Sequence, residues 1–347
     1  MGGSILSFNI HGVRVALSSD WEELRHVVAE DFHYFRVPST GGVDVRLEVR
    51  RGAARPAQRS FLGRRVRTRN SSGVDTCGTR ELFFFDSVSL WVDFRHESVV
   101  ITGEDLDRVR EICYLSVLSR AGKLLDRRGL HRVHAMAVHA FDTDFVCMLP
   151  SGGGKSTLLL HLLRHPEVSV ISDDTPLIDA QGRVHSMPLK LSVCDDQVAL
   201  LGKTFNNATP QEFRRYSHPW KKYVAVCDFQ HRIAHPDRHV KRTIFARGVR
   251  HAGEENALFS VPWPSLFHDY FIHGIIGVGT PIFLELFWEF GPRDFLRKSQ
   301  IFLDRIASFN SFASRTETAN FYIGHDPERA AQYLFDELRA AEKRLVR

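Results

Sequence analysis

An α/β protein with an N-terminal α+β unit is the fold class that this 347-residue sequence predicts. Three observations carry it. Residues 145–164 run from a short apolar stretch through the turn Pro150-Ser151-Gly152-Gly153-Gly154 into Lys155-Ser156-Thr157 and a leucine-rich helix. Residues 168–174 form a second apolar run, one short helix later, that closes on Asp173-Asp174. The first hundred residues instead hold short alternating runs, which read as strands, around one helical segment.

Taken in order, residues 5–17 alternate through Ile5, Phe8, Ile10, Val13 and Val15 and predict one strand. Ser18-Ser19-Asp20 reads as an N-cap ahead of a helix from Trp21 to Ala29. Val43–Val49 predicts a strand, and the arginine-rich stretch through Asn70-Ser71-Ser72-Gly73 a long loop. Leu82–Phe85, Ser89–Phe94 and Ser98–Thr102 predict three short strands. Asp105–Arg127 carries apolar residues at three- and four-residue steps and predicts a long helix, ended by Arg128-Gly129. Strands over 133–140 and 145–149 are joined by Phe141-Asp142-Thr143-Asp144, and the helix after the glycine turn stops near Arg164 at His165-Pro166. Beyond Pro188 the pattern weakens. The tail predicts a helix with Asp326 as cap, Pro327 first and Glu328 in the first turn. These elements divide the chain into an accessory unit over 1–104, a main domain over 105–325 and a C-terminal helix over 326–347.

Hydrophobic content of 43% and charged content of 25% are those of an ordinary soluble domain. The net charge of +5 is local in origin. Arg46, Arg50, Arg51, Arg55, Arg59, Arg64, Arg65, Arg67 and Arg69 share one stretch with a single acid, Glu48. With no aromatic interleaving beyond Phe61, the Arg46–Arg69 segment reads as a solvated loop rather than a nucleic-acid surface. Residues 214–250 hold a second basic concentration ending in Arg247 and Arg250, read foremost as solvated surface, the alternative being a segment that screens a phosphoryl group or binds an acidic substrate. Five cysteines without C-x-x-C spacing argue for a reducing, cytoplasmic setting. The most apolar stretch, Gly274–Trp288, is short and interrupted by Pro281 and Glu285, so a buried segment is expected there and no membrane span. A homo-oligomer is compatible with the sequence.

The glycine turn has the layout of a phosphate-binding loop. Glycines let the backbone curl so that successive N–H groups face phosphate oxygens, and the following helix adds the positive end of its dipole. Ser151, Gly152, Gly153, Gly154, Lys155, Ser156 and Thr157 are the nucleotide-binding candidates. Lys155 can reach the β- and γ-phosphates, and the Ser156 hydroxyl can ligate Mg²⁺. Leu149 stands where the usual spacing has a first glycine. Asp173 and Asp174 allow a division of labour: one carboxylate serves the metal and the other accepts a proton from an attacking hydroxyl. His134, on the strand before the loop strand, can sit beside them and orient Asp174. Neither Leu-Ser-Gly-Gly-Gln nor Asn-Lys-x-Asp occurs, which argues against transporter ATPases and most GTPases.

His134-Ala135-Met136-Ala137-Val138, then Leu149-Pro150-Ser151-Gly152-Gly153-Gly154-Lys155-Ser156-Thr157, then Ile171-Ser172-Asp173-Asp174 resembles the catalytic core of HPr kinase/phosphorylase and, more closely, of stand-alone HPr-kinase-related proteins. The specific match spans residues 131–178, with a looser likeness through Pro188-Leu189-Lys190. The resemblance implies a phosphate-loop kinase core akin to phosphoenolpyruvate carboxykinase, ATP and Mg²⁺ as cofactors, and transfer to a hydroxyl, foremost serine of a peptide or protein, including natural-product precursor peptides. It implies that Lys155 binds phosphate, Ser156 and Asp173 serve the metal, Asp174 is the base and His134 supports it. An Arg-Gly-Leu-Gly segment is absent at the family's spacing, Ala246-Arg247-Gly248-Val249-Arg250 lying further downstream. That speaks against HPr itself as substrate and against the reverse reaction. The competing expectations are a nucleotide-binding regulator weakened in catalysis and a kinase of small-metabolite hydroxyls.

Overall fold

The computed structural model describes residues 4–38, 41–56, 64–67, 71–76, 78–84, 87–150, 152–205, 208, 210–212, 222–276 and 292–345. The chain divides into two compact units: the first holds Met1–Arg128 together with the later segments Phe213–Trp220 and Thr280–Ile301, and the second starts at Gly129 and holds the rest.

The first unit is a nine-stranded sheet covered on one face by helices. Strands β1 (Ile5–Ile10) and β2 (Val13–Ser19) form a hairpin where the alternation predicts one continuous strand. His11 and Gly12 both take positive φ, 46° and 86°, the two-residue turn that matches strand twist. The apolar period runs through so short a turn without a break, which hides it from a periodicity reading. Helix α1 spans Glu22–Asp31. Its N-cap is Trp21, without a side-chain cap bond, and Ser19 Oγ instead accepts the Trp21 N–H at 3.1 Å. Strands β3 (Arg36–Val37), β4 (Val45–Arg51), β5 (Arg64–Arg67), β6 (Ser71–Thr76), β7 (Thr79–Phe84), β8 (Val88–Asp93) and β9 (Ser98–Gly103) complete the order β3-β1-β2-β4-β9-β8-β7-β6-β5. The long loop expected through Gly73 is therefore partly a hairpin, β5 pairing with β6 at the sheet edge. Backbone pairing there needs no apolar side chains, and charged residues are tolerated on an edge strand.

Helix α2 (Leu106–Arg127) begins at Asp105, whose Oδ1 accepts the Arg108 N–H at 3.1 Å. It packs on β9, β4, β2 and β8 and against α1. It thus belongs with the N-terminal unit, and the unit boundary falls after the helix rather than at residue 104. Its charged groups are paired where they are buried: Arg120 and Lys123 hold Glu97, at 3.2 and 2.6 Å, and Arg110 holds Asp31.

The second unit opens with β10 (His131–Arg132), β11 (Ala135–Ala140) and β12 (Thr143–Met148). Phe141 and Asp142, at φ 51° and 55°, form the turn between β11 and β12, so Thr143 and Asp144 are already strand. Helix α3 (Lys155–Leu162) follows the glycine turn and ends a little before the expected Arg164. Then come β13 (Ser169–Ser172), β14 (Leu177–Ile178), β15 (Val184–His185), β16 (Leu191–Val193), α4 (Val198–Thr204), β17 (Gln211–Glu212), β18 (Lys222–Val224), β19 (Arg242–Arg250) and β20 (Ala257–Ser260). The chain finishes with α5 (Pro292–Ser314), β21 (Glu317–Ile323) and α6 (Pro327–Leu345). The central six-stranded sheet is mixed, ordered β13-β11-β12-β19-β21-β20, with β12, β19 and β21 mutually parallel. In the basic segment 214–250, Arg214, Arg215 and Lys221 lie outside the described residues, the Arg238 side chain is buried against Asp144, Arg250 is exposed, and β19 has an apolar centre. Ile244, Phe245 and Ala246 are at most 2% exposed and sit in its centre. Helix α6 starts as the sequence expects, with Asp326 Oδ1 accepting the N–H groups of Glu328 and Arg329 at 2.9 and 3.2 Å, and it packs on α3. Among the described residues, no helix is long and apolar enough to cross a membrane. Most of Gly274–Trp288, the expected buried apolar segment, lies outside them.

Candidate functional site

The glycine turn sits at the end of β12, in the centre of the second unit's sheet. Gly154 is the N-cap of α3 and takes φ 86°, a left-handed conformation that costs a side-chain-bearing residue. The Gly153 N–H donates to the Pro150 carbonyl at 2.9 Å, and a Cβ at 153 would stand 2.8 Å from that same oxygen. The turn therefore closes only over glycine. Ser151 lies outside the described residues. Leu149 is buried, at 1% exposure, and is not among the residues with positive φ. Its side chain packs on Gly248 of the adjacent β19, where a Cβ would come within 2.4 Å of Leu149 Cδ2. A leucine at 149 thus fills space that glycine at 248 leaves open, and the backbone there does not demand glycine.

Three polar side chains follow in a row. Lys155 Nζ donates to the Leu149 carbonyl at 2.8 Å and lies 3.0 Å from His134 Nε2. His134 Nδ1 lies 3.0 Å from Asp174 Oδ1. An ammonium can only donate, so Nε2 is the acceptor and Nδ1 carries the proton that is given to Asp174. Backbone bonds hold the row in register: the Ala135 N–H donates to the Asp174 carbonyl at 3.0 Å, and the His134 N–H to the His273 carbonyl at 3.0 Å. The Asp174 carboxylate is 58% exposed, so its outer face opens to solvent beside the loop.

The neighbouring carboxylate is its opposite in environment. Asp173 is 8% exposed. Ser156 Oγ donates to its Oδ2 at 3.1 Å, while Oδ1 is buried with no hydrogen-bond partner among the described residues. Burial, reinforced by the adjacent Asp174 charge, pushes its pKa up to about 6, against the Ser156 bond, the Lys155 charge and a backbone bond from Ser192. A buried carboxylate with one oxygen unsatisfied is short of a cation. A hydroxyl and a carboxylate are the donor set that Mg²⁺ takes when phosphates and water supply the rest. No cluster of three or more His, Cys, Asp or Glu side chains suited to a metal occurs among the described residues. The chain matches no family model and no curated protein.

The remaining candidates fall beside this row or away from it. The Thr157 hydroxyl accepts from the Gln197 side chain. Lys190, raised by the looser likeness, is buried with its ammonium 5.1 Å from the Tyr223 ring centroid. Two further groups stand at the loop, of which His273 was not singled out from the sequence. Arg250, at the end of β19, extends its guanidinium over the loop, with Nη1 2.9 Å from where a Cβ of residue 154 would stand. Strand β19 pairs in parallel with β12, Met148 opposite Arg247, which brings the Arg247–Arg250 segment to the loop. His273 stacks on His134 from a turn far along the chain. The sequence signal for Arg250 was its membership of the basic segment 214–250.

Proposed function

We propose that this protein transfers the γ-phosphoryl group of ATP to a hydroxyl, foremost a serine on a peptide or protein. One observation carries the proposal: the Lys155–His134–Asp174 row lies beside Ser156–Asp173 at the mouth of a glycine turn. Phosphoryl transfer asks a protein for positioning and for charge at the transferring group rather than for a covalent partner. Lys155, the loop amides and Arg250 are the cations and donors placed for the polyphosphate. Asp174 is the exposed carboxylate placed to take the proton as the acceptor oxygen bonds to the γ-phosphorus and the bond to the bridging oxygen breaks. His134, with Nδ1 3.0 Å from Asp174 Oδ1, is the residue that orients that carboxylate. Ser156 and Asp173 are the residues that would hold Mg²⁺, which when bound supplies positive charge to the phosphate oxygens. The likeness of residues 131–178 to HPr-kinase-related proteins supports the same reading. Leu149, the reason to consider a regulator without turnover, packs against Gly248 without a backbone penalty and so lends that alternative little.

The test is transfer of labelled phosphate from ATP with Mg²⁺ to hydroxyl-bearing peptides. Asp174→Asn should lower transfer at least about a hundredfold while nucleotide affinity holds, general-base removal being worth about that much. Lys155→Ala should weaken nucleotide binding itself. Full transfer by Asp174→Asn, or unchanged nucleotide affinity in Lys155→Ala, would overturn the assignment.

A further inference from the structure

His273 enters the site from the π-helical turn Phe271–Ile276, a backbone form that recurs as short insertions at functional positions. The turn is firmly held. Tyr270 stacks flat on Phe309, centroids 3.7 Å apart and planes 4° from parallel. Its hydroxyl donates to the Arg305 carbonyl at 3.2 Å, and Arg305 Nη1 donates to the Gly274 carbonyl at 2.8 Å, both bonds buried. A Cβ at 274 would stand 2.3 Å from the Tyr270 ring, so glycine lets the turn close over it. At the other end Asp269 accepts from Arg247 at 3.2 Å, and Arg247 also donates to Asn320 at 3.1 Å.

This anchored turn presents two contacts to one residue. The His273 carbonyl accepts the His134 N–H at 3.0 Å. The two imidazoles lie offset-stacked, centroids 5.9 Å apart and planes 26° from parallel. The His134 ring meets Lys155 Nζ through Nε2 and Asp174 Oδ1 through Nδ1, each at 3.0 Å. The torsion that turns an imidazole plane is soft, so the plane has to be set by what packs on it.

We propose that His273 is a positioning residue whose ring sets the plane of His134, so that one imidazole meets Lys155 through Nε2 and Asp174 through Nδ1 together. The inference rests on the proposed role of Asp174 as base. His273 acts here as a neutral ring. The charged and titratable groups facing it are His134 and Lys155, with Asp269 on its own turn, and a cationic His273 would stand against the first two. Burial, then His134 and Lys155, hold its pKa below the ordinary histidine value, with Asp269 opposing.

Two variants of the full chain separate ring-plane control from mere filling of space. His273→Phe keeps a flat face, whereas His273→Leu fills similar volume without one, and both keep the backbone carbonyl that accepts from His134. Imidazole ¹⁵N NMR without nucleotide reads the His134 tautomer directly. Wild type and His273→Phe should show His134 protonated at Nδ1, and His273→Leu a mixture. In the phosphate-transfer assay, His273→Phe should stay within about threefold of wild type. His273→Leu should lose about ten- to a hundredfold in kcat with the KM for ATP within about twofold, the scale of a catalytic group displaced by a fraction of an ångström to an ångström. An unmixed Nδ1–H tautomer in His273→Leu, or a loss in His273→Phe equal to that in His273→Leu, would overturn the proposal. Should no acceptor be turned over by wild type, the kinase reading fails, and the tautomer measurement still decides the role of His273.

Discussion

Asp173 is a buried carboxylate with one oxygen lacking a hydrogen-bond partner among the described residues, and its titration can be read without turnover. Its folded-state pKa of about 6 lies above the ordinary value of 3.8, so the fold disfavours its ionised form. The stabilising contribution is therefore complete below about pH 4 and is lost as pH rises through about 6. With a chelator present, Asp173→Asn should be the more stable protein at pH 7.5, by about 1–3 kcal/mol, with the difference vanishing near pH 4. Denaturant unfolding at both pH values measures this, and an equal gap at both would show that burial does not govern the group. Added Mg²⁺ and nucleotide should reverse the order at pH 7.5, since only the wild type offers a carboxylate to the cation. Legibility at this scale follows chain distance. Lys155, Ser156, Asp173, Asp174 and His134 are close in sequence, and their types and spacing carry meaning. Arg250 was visible only as one member of a basic segment and His273 carries no local pattern, because their places come from a neighbouring strand and a packed turn.

At the scale of elements, the phosphate-loop helix depends on the last helix of the chain. α3 packs on α6, and the contact contains two histidines held neutral. His165 stacks on Phe335, rings 3.9 Å apart, and His161 Nδ1 is buried with no hydrogen-bond partner among the described residues. Burial lowers the pKa of both, against Glu328 and Asp326 near His161 and Glu167 and Asp336 near His165, with Arg164 beside each. A lowered histidine pKa contributes stability that is present above about 6.5 and lost as pH falls below it. Amide exchange in α6, corrected for its intrinsic pH dependence, should therefore rise several-fold or more between pH 7.5 and 5. His165→Phe, which keeps the stack without the titration, should reduce the rise. Equal protection at both pH values would remove these histidines from the account. The cap Asp326 was legible because a cap is a local bond. The β5–β6 hairpin was not, since its pairing is a backbone matter at a sheet edge and its arginines obey no apolar period.

For the whole molecule, the division into two units assigns all the proposed chemistry to the one that starts at Gly129. Ligand bound to the native form alone stabilises by mass action, about 2.7 kcal/mol at a hundredfold excess over Kd. Mg²⁺ with a nonhydrolysable nucleotide should accordingly slow hydrogen exchange in β12, α3 and β13 and leave β1 to β9 unchanged. Protection spread equally over both units, or none at all, would count against a nucleotide site at the glycine turn. The mixed α/β character, the loop-helix-strand order around Lys155 and the aspartate pair were determined by sequence alone, because each is a short-range pattern of apolar period, glycine and charge. Tertiary structure alone decided that α2 belongs to the N-terminal sheet, that Gly248 accommodates Leu149, and that Asp173 is buried while Asp174 is exposed. Adjacent residues of one type differ only in what packs against them, and that packing comes from strands and turns distant in the chain.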